Sequence, residues 1–213
     1  MRILVACEES QAITKELRAL GHEAFSCDLL PCSGGHPEWH LQQDVFEVIE
    51  QGWDMMIAHP PCTYLAVSGA RWLYNKDGSK NEERWRNQAE ALDFVQKLMD
   101  APIEKIAIEN PISVISSQIR KPDQIVHPYM FGDKASKSTC LWLKNLPLLK
   151  PTDIVEKGEW KEWVDKRTGK KKRQAKWYYE ALCNAKTDAE RRTLRSKTFK
   201  GMAEAIANQW TKN

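Results

Sequence analysis

The first 28 residues of the chain most constrain what it can fold into. Arg2-Ile3-Leu4-Val5-Ala6-Cys7 is apolar and partly β-branched, and it reads as a strand. Gln11 to Leu20 repeats Ile13, Leu17 and Leu20 on one helical face, with Ser10 placed as an N-cap and Gly21 placed to end the helix. Glu23 to Asp28 is a second short strand that closes on an acid. Two strands joined through a helix lie parallel, and a parallel sheet needs helices on its faces. The expected fold is α/β: a twisted, mostly parallel sheet with helices on both faces. The unit lacks the G-x-G-x-x-G of a dinucleotide site, so that motif cannot be invoked.

The rest of the chain extends this pattern. Leu29 to His40 is loop, and a short helix is expected over 45–52. Met55 to Ala58 is a continuous apolar run, as in a strand covered on both faces. It ends at His59-Pro60-Pro61-Cys62, because two prolines cannot donate to a ladder. Residues 67–70 and 75–81 read as a loop or lid. Glu82 to Ala101 reads as the longest helix, and Lys105 to Pro111 as another buried strand. Strands are expected over 126–131 and 139–143. The stretch 159–179 reads as a hairpin or arm turning at Thr168-Gly169, followed by helices over 187–195 (opened by Thr187 or Asp188) and 199–210. We divide the chain into a core over 1–150, a basic and aromatic insertion over 151–195, and a returning C-terminal helix over 196–213.

Composition narrows the class. Of 213 residues, 42% are hydrophobic and 29% charged, which suits a globular protein, and no apolar run is long enough to span a bilayer. Met1 leads straight into a strand, so a cytoplasmic location is expected. The six cysteines are expected as free thiols. Net charge is only +3, but positive charge is dense over Lys166-Arg167-Thr168-Gly169-Lys170-Lys171-Lys172-Arg173. Basic residues beside Trp160, Trp163 and Trp177 suit a nucleic-acid backbone and stacked bases, with a solvated arm as the plain alternative. Cys27, Cys32, His36 and His40 have a spacing that could hold zinc, but such tracts arise readily by chance, and no metal is expected.

Glu8, Asp28, Cys62 and Glu109 all fall at or near strand ends. In a parallel sheet those ends share one edge, the edge at which α/β folds bind ligands. An acid there commonly caps a helix, and a lone cysteine is commonly core. Cys62 stands apart because it follows a double-proline turn and because Glu109-Asn110-Pro111 ends a second strand in a comparable turn.

On these residues the chain resembles the cytosine-5 DNA methyltransferase family, most closely its short phage-type members. Pro61-Cys62 is similar to the family's Pro-Cys nucleophile motif, and Glu109-Asn110-Pro111 to its Glu-Asn-Val motif. Arg195 to Ala203 resembles the segment that returns beside the cofactor. The resemblance covers roughly 1–150 and 195–212 and implies S-adenosylmethionine as cofactor, DNA as partner and a phage or prophage setting. Cys62 would add to carbon 6 of cytosine, making carbon 5 nucleophilic toward a sulfonium methyl. Backbone N–H groups at the turn would lower the thiol's pKa. Glu109, with a raised pKa, would serve ring nitrogen 3 and the exocyclic amine.

Asp28, at a strand end, suits ribose hydroxyls. The resemblance gives Asp44 to the adenine amine, Val45 to its ring, and His59 and Pro60 to the methionine part, with Cys7, Glu8, Ser10 and Leu29 completing the cofactor side. The substrate side would use Pro61, Ser68, Asn110, Lys137 and Thr139, with Lys170, Lys171 and Arg173 on the arm. Where the family carries Phe-x-Gly-x-Gly, this chain has Cys7-Glu8-Glu9-Ser10-Gln11. Alternatives are a non-catalytic nucleic-acid-binding protein, a methyltransferase of free pyrimidine nucleotides, or one acting on exocyclic amines, whose Asp/Asn-Pro-Pro-aromatic motif His59-Pro60-Pro61-Cys62 echoes.

Overall fold

The computed structural model describes residues 1–212, with every side chain except those of Asp188, Ala189 and Arg192. The parallel unit forms as expected. β1 (Arg2–Ala6) and β2 (Glu23–Cys27) flank α1 (Ala12–Ala19) and pair in parallel from Arg2↔Glu23 to Ala6↔Cys27. β3 (His40–Leu41) extends the sheet beyond β2. The chain then crosses back to β4 (Met55–Ala58), which lies on the other side of β1. α2 (Glu82–Met99) leads to β5 (Lys105–Pro111), parallel to β4. α3 (Ile115–Gln118), β6 (Gln124–Val126) and β7 (Thr139–Lys144) complete a seven-stranded sheet of order β3-β2-β1-β4-β5-β7-β6, with β7 antiparallel to both neighbours. The direction of winding reverses between β1 and β4, so a crevice opens there at the strand ends.

Alternation along the strands builds two cores. Ile3 and Val5 of β1 face Ile13 and Leu17 of α1, together with Met202, Ala203, Ile206 and Trp210 of a C-terminal helix. Leu4 and Ala6 face the other way, into a cluster with Val95 and Leu98 of α2 and with Trp53. This is the mostly parallel α/β sheet, covered on both faces, that the sequence implies.

Beyond β7 a small lobe is inserted. β8 (Trp160–Val164) and β9 (Lys171–Ala175) form an antiparallel hairpin, followed by α4 (Lys176–Asn184) and α5 (Asp188–Ser196). Thr187 caps α5 by accepting the Glu190 N–H at 3.1 Å; Asp188, the other candidate for that cap, has its side chain outside the described residues. α6 (Lys200–Trp210) then returns to the core. Gly201 permits this return: a Cβ there would collide with the Phe131 carbonyl.

Several local expectations are corrected. Ser10 does not cap α1. Gln11 takes the N-cap position with φ 56°, and the Glu8 carboxylate accepts the Ile13 and Thr14 N–H groups instead. The helix expected over 45–52 is one 3-10 turn, Val45–Glu47, capped by Asp44. Residues 67–73 are a 3-10 helix rather than loop, and 75–81 form a turn closed by Asn75 N–H to Ser79 O at 2.8 Å. The strand expected over 126–131 stops at Val126, because Pro128 has no N–H and opens a 3-10 turn over Pro128–Met130. No described helix is long and apolar enough to cross a membrane.

Candidate active site

The register of β4 and β5 sets the centre. Ala58 lies opposite Ile108, so the next residues, His59 and Glu109, emerge side by side at the strand ends. His59 Nδ1 and Glu109 Oε2 are 2.9 Å apart, and the two side chains are only 13% and 15% exposed. Burial opposes the His59 charge, but the hydrogen bond to Glu109, the charge of Glu109 and that of Glu8 outweigh it, and its pKa is raised despite the opposing Lys137. Burial likewise opposes the Glu109 charge, but the His59 bond, Lys137 and the His59 charge outweigh it, and its pKa is lowered. The pair is therefore an imidazolium against a carboxylate. This corrects the expectation of a Glu109 whose pKa is raised: a solitary buried acid would be pushed up, but this one has a cationic neighbour. His59 Nε2 is buried and has no hydrogen-bond partner.

The turn that carries Cys62 is held from β5. Asn110 Nδ2 donates to Pro60 O at 2.8 Å, and the Cys62 carbonyl accepts Leu65 N–H at 3.1 Å and Ala66 N–H at 2.9 Å. Cys62 is solvent-exposed, as is Pro61. Its thiol nevertheless stands above the ordinary range, first because surrounding protein desolvates it and then because Glu109 is close; Arg195 and Lys137 oppose this. Its own backbone N–H lowers the pKa, in the direction the turn argument requires, but as the least of these influences. The expected low pKa is thus corrected. The neighbouring carboxylate and desolvation exceed what one N–H offers.

The cofactor candidates cluster beyond β1 and β2. Cys7 adopts φ 58° and Gln11 φ 56°, so the loop enters and leaves through left-handed residues although it lacks glycine. Burial, then the charges of Asp28, Cys27 and Asp44, push the Cys7 thiol far up. Asp28 accepts Leu30 N–H and Asp44 accepts Phe46 N–H, each at 2.9 Å through Oδ1. Val45 is buried in the core, Pro60 is buried, Ser10 is half-buried and Leu29 is 70% exposed. Glu8 is buried with both oxygens occupied by the first turn of α1, including Thr14 Oγ1 at 2.7 Å.

On the substrate side, Asn110 and Thr139 are buried, Thr139 lying opposite Pro111 in the β5–β7 register. Ser68 is exposed on its 3-10 helix. Lys137 Nζ donates to Lys197 O at 3.3 Å. Lys171 and Arg173 are exposed on β9, and Lys170 precedes them; the Arg173 guanidinium stacks over Trp160 at 4.9 Å. From the lobe, the charge of Arg195 of α5 pulls the Cys62 pKa down, against the two larger influences.

The Cys27–His40 stretch spends its polar atoms elsewhere. Cys32 donates to Gln11 Oε1, Cys27 to Gln43 O, His36 meets Glu38, and His40 meets Ser26 and Leu30 O. Among the described residues no group of three His, Cys, Asp or Glu side chains converges to hold a metal.

No protein-family model and no curated protein matches the chain. Among solved structures, an E. coli protein described as a candidate DNA modification methyltransferase encoded within a prophage superposes with TM-score 0.44 at 13% identity, over 84% of this chain and 63% of that one. The chain thus spans less than two thirds of that protein, and a likeness this slight carries no argument about function.

Proposed function

We propose that the protein is an S-adenosylmethionine-dependent methyltransferase acting on carbon 5 of cytosine in DNA. The observation that carries this reading is the meeting, at the ends of β4 and β5, of an exposed cysteine with a buried carboxylate–imidazole pair. S-adenosylmethionine, held by Asp28 at the ribose, Asp44 at the adenine amine and Val45 at the ring, with Cys7, Ser10, Leu29, His59 and Pro60 around it, would supply an electrophilic methyl.

The chain's own residues do the rest. Cys62 loses its thiol proton to solvent, and the thiolate adds to carbon 6 of a cytosine flipped out of the stack. The ring electrons displaced by that bond are balanced by a proton on nitrogen 3. The Glu109 carboxylate first takes the His59 Nδ1 proton and then passes it to nitrogen 3, leaving His59 neutral. Carbon 5, now enamine-like, takes the methyl. Loss of its proton to solvent and expulsion of the Cys62 thiolate restore the aromatic ring, and the nitrogen 3 proton returns to the pair. Asn110 holds the Pro60 carbonyl, so the nucleophile's turn and the acid move as one piece. Lys170, Lys171 and Arg173 would meet phosphates, and Trp160 and Trp163 would offer stacking faces.

Incubation with labelled S-adenosylmethionine and duplex DNA tests this reading. It requires labelled 5-methylcytosine from the wild type and none from Cys62→Ser. Label on an exocyclic amine, or DNA binding with no S-adenosylmethionine binding, would replace it with one of the alternatives.

A further inference from the structure

The contact between His59 Nδ1 and Glu109 Oε2 fixes what the strand ends can offer a base. One proton lies between the two atoms. Wherever it sits, Oε2 is taken up, and Oε1 has lone pairs and no hydrogen. The other ring nitrogen of the imidazolium, Nε2, is a donor, and it is buried with no hydrogen-bond partner. A buried donor left unmet is costly, and a ligand oxygen or nitrogen would relieve that cost. Asn110, the next residue, commits Nδ2 to Pro60 O at 2.8 Å, and its Oδ1 is buried without a partner. The strand ends therefore present acceptors at Glu109 and Asn110 and a donor at His59.

Cytosine meets an acceptor with its exocyclic amine and a donor with nitrogen 3. Uracil meets the same two with its N3–H and oxygen 4. A polar site rejects a base by leaving a buried group unpaired, and this pair is left unpaired by neither. Uracil also makes the smaller demand. Nitrogen 3 of cytosine must receive a proton, which first has to leave the His59–Glu109 contact. Nitrogen 3 of uracil already carries one, and Glu109 accepts it as a hydrogen bond with no transfer.

We propose that the site methylates carbon 5 of uracil as well as carbon 5 of cytosine, because the buried His59–Glu109 pair offers an acceptor and a donor that both bases can meet. The Cys62 thiol loses its proton to solvent, and the thiolate bonds to carbon 6 of uracil. The electrons of the C5–C6 double bond move onto oxygen 4. They return as carbon 5 takes the methyl of the sulfonium donor. Carbon 5 then gives its proton to solvent, the Cys62 thiolate leaves, and the product is thymine. This rests on the reading of Cys62 as nucleophile with Glu109 as its partner, and it widens the base on which they act.

The test is a competition within one pool of random-sequence duplex DNA in which a small fraction of the cytosines is replaced by deoxyuridine. Wild-type protein and labelled S-adenosylmethionine are added, and labelled thymine and 5-methylcytosine are separated after hydrolysis. Per base present, thymine should form within about tenfold of the 5-methylcytosine rate, whereas a site complementary to cytosine alone would reject uracil by about 10⁴-fold. Only cytosine draws on the His59 proton, so the ratio of the uracil rate to the cytosine rate should rise as pH passes from 6.5 through the raised His59 value. A mispaired uracil flips more readily, but it does so at every pH and cannot produce that rise. Uracil slower than cytosine by more than about a hundredfold, or a ratio that does not rise with pH, overturns the inference and leaves the methylation of cytosine standing. Labelled thymine without 5-methylcytosine would sustain the inference and refute cytosine as the substrate. Label in neither base overturns both.

Discussion

His59 Nδ1 lies 2.9 Å from Glu109 Oε2, across two parallel strands whose register places them side by side. The contact makes stability depend on pH from both directions. Glu109 has a lowered pKa in the fold, so its contribution is complete above its ordinary 4.5 and is lost as pH falls through the lowered value. His59 has a raised pKa, so its contribution is complete below 6.5 and is lost as pH rises through the raised value. The pair should therefore stabilise most between those two ordinary values. His59→Gln, which strands a buried carboxylate, should cost about 3 kcal/mol there by denaturant unfolding, and less at higher pH. A cost that does not vary with pH would contradict an ionised pair.

In the proposed mechanism the same contact supplies the proton needed at nitrogen 3. Glu109→Gln keeps the shape but can neither take nor pass that proton. Its kcat for methyl transfer should fall by about 10²- to 10⁴-fold, with DNA affinity within a few-fold of wild type. Single-turnover kinetics would separate the two effects, and an unchanged chemical step would remove Glu109 from the mechanism.

The two left-handed residues of the first loop should respond oppositely to glycine. Cys7→Gly relieves φ 58° and should stabilise the fold by about 1 kcal/mol, less whatever packing the thiol provides. Gln11→Gly relieves φ 56° but deletes a buried amide that bonds to Ser26 Oγ, His36 O and His36 N–H, and it should destabilise by about 1–3 kcal/mol. Urea unfolding of the pair checks both signs.

Removing the exposed charges of the hairpin should weaken DNA binding without affecting the fold. Lys170→Ala, Lys171→Ala and Arg173→Ala should each reduce the slope of log affinity against log salt by about one and lower affinity alike for all sequences. A salt slope unaffected by the triple substitution would show that the hairpin makes no phosphate contact.

Much of this was legible in local pattern. The β1-α1-β2 unit, the buried run of β4 and the proline turn at Cys62 follow from periodicity and from proline's missing N–H. The Cys62 expectation was argued from its own turn and the Glu109 expectation from the role given to it, whereas desolvation raises the first and charged partners about 30 to 50 positions away help decide both. His59 faces Glu109 only through strand register. Ser10 looked like the cap of α1 because it stands just before the helix. The Glu8 carboxylate reaches past it, because the left-handed Gln11 bends the loop back toward the Ile13 and Thr14 N–H groups.

The most direct measurement is a covalent trap. Fluorine at carbon 5 of cytosine cannot leave as a proton does, so an enzyme that adds through a thiolate and transfers a methyl remains bonded to the base. Wild-type protein mixed with S-adenosylmethionine and a 5-fluorocytosine duplex should yield an adduct on the peptide carrying Cys62, and Cys62→Ser should yield none. An adduct on Cys183 or another cysteine, or no adduct under conditions where DNA and S-adenosylmethionine both bind, would contradict the account.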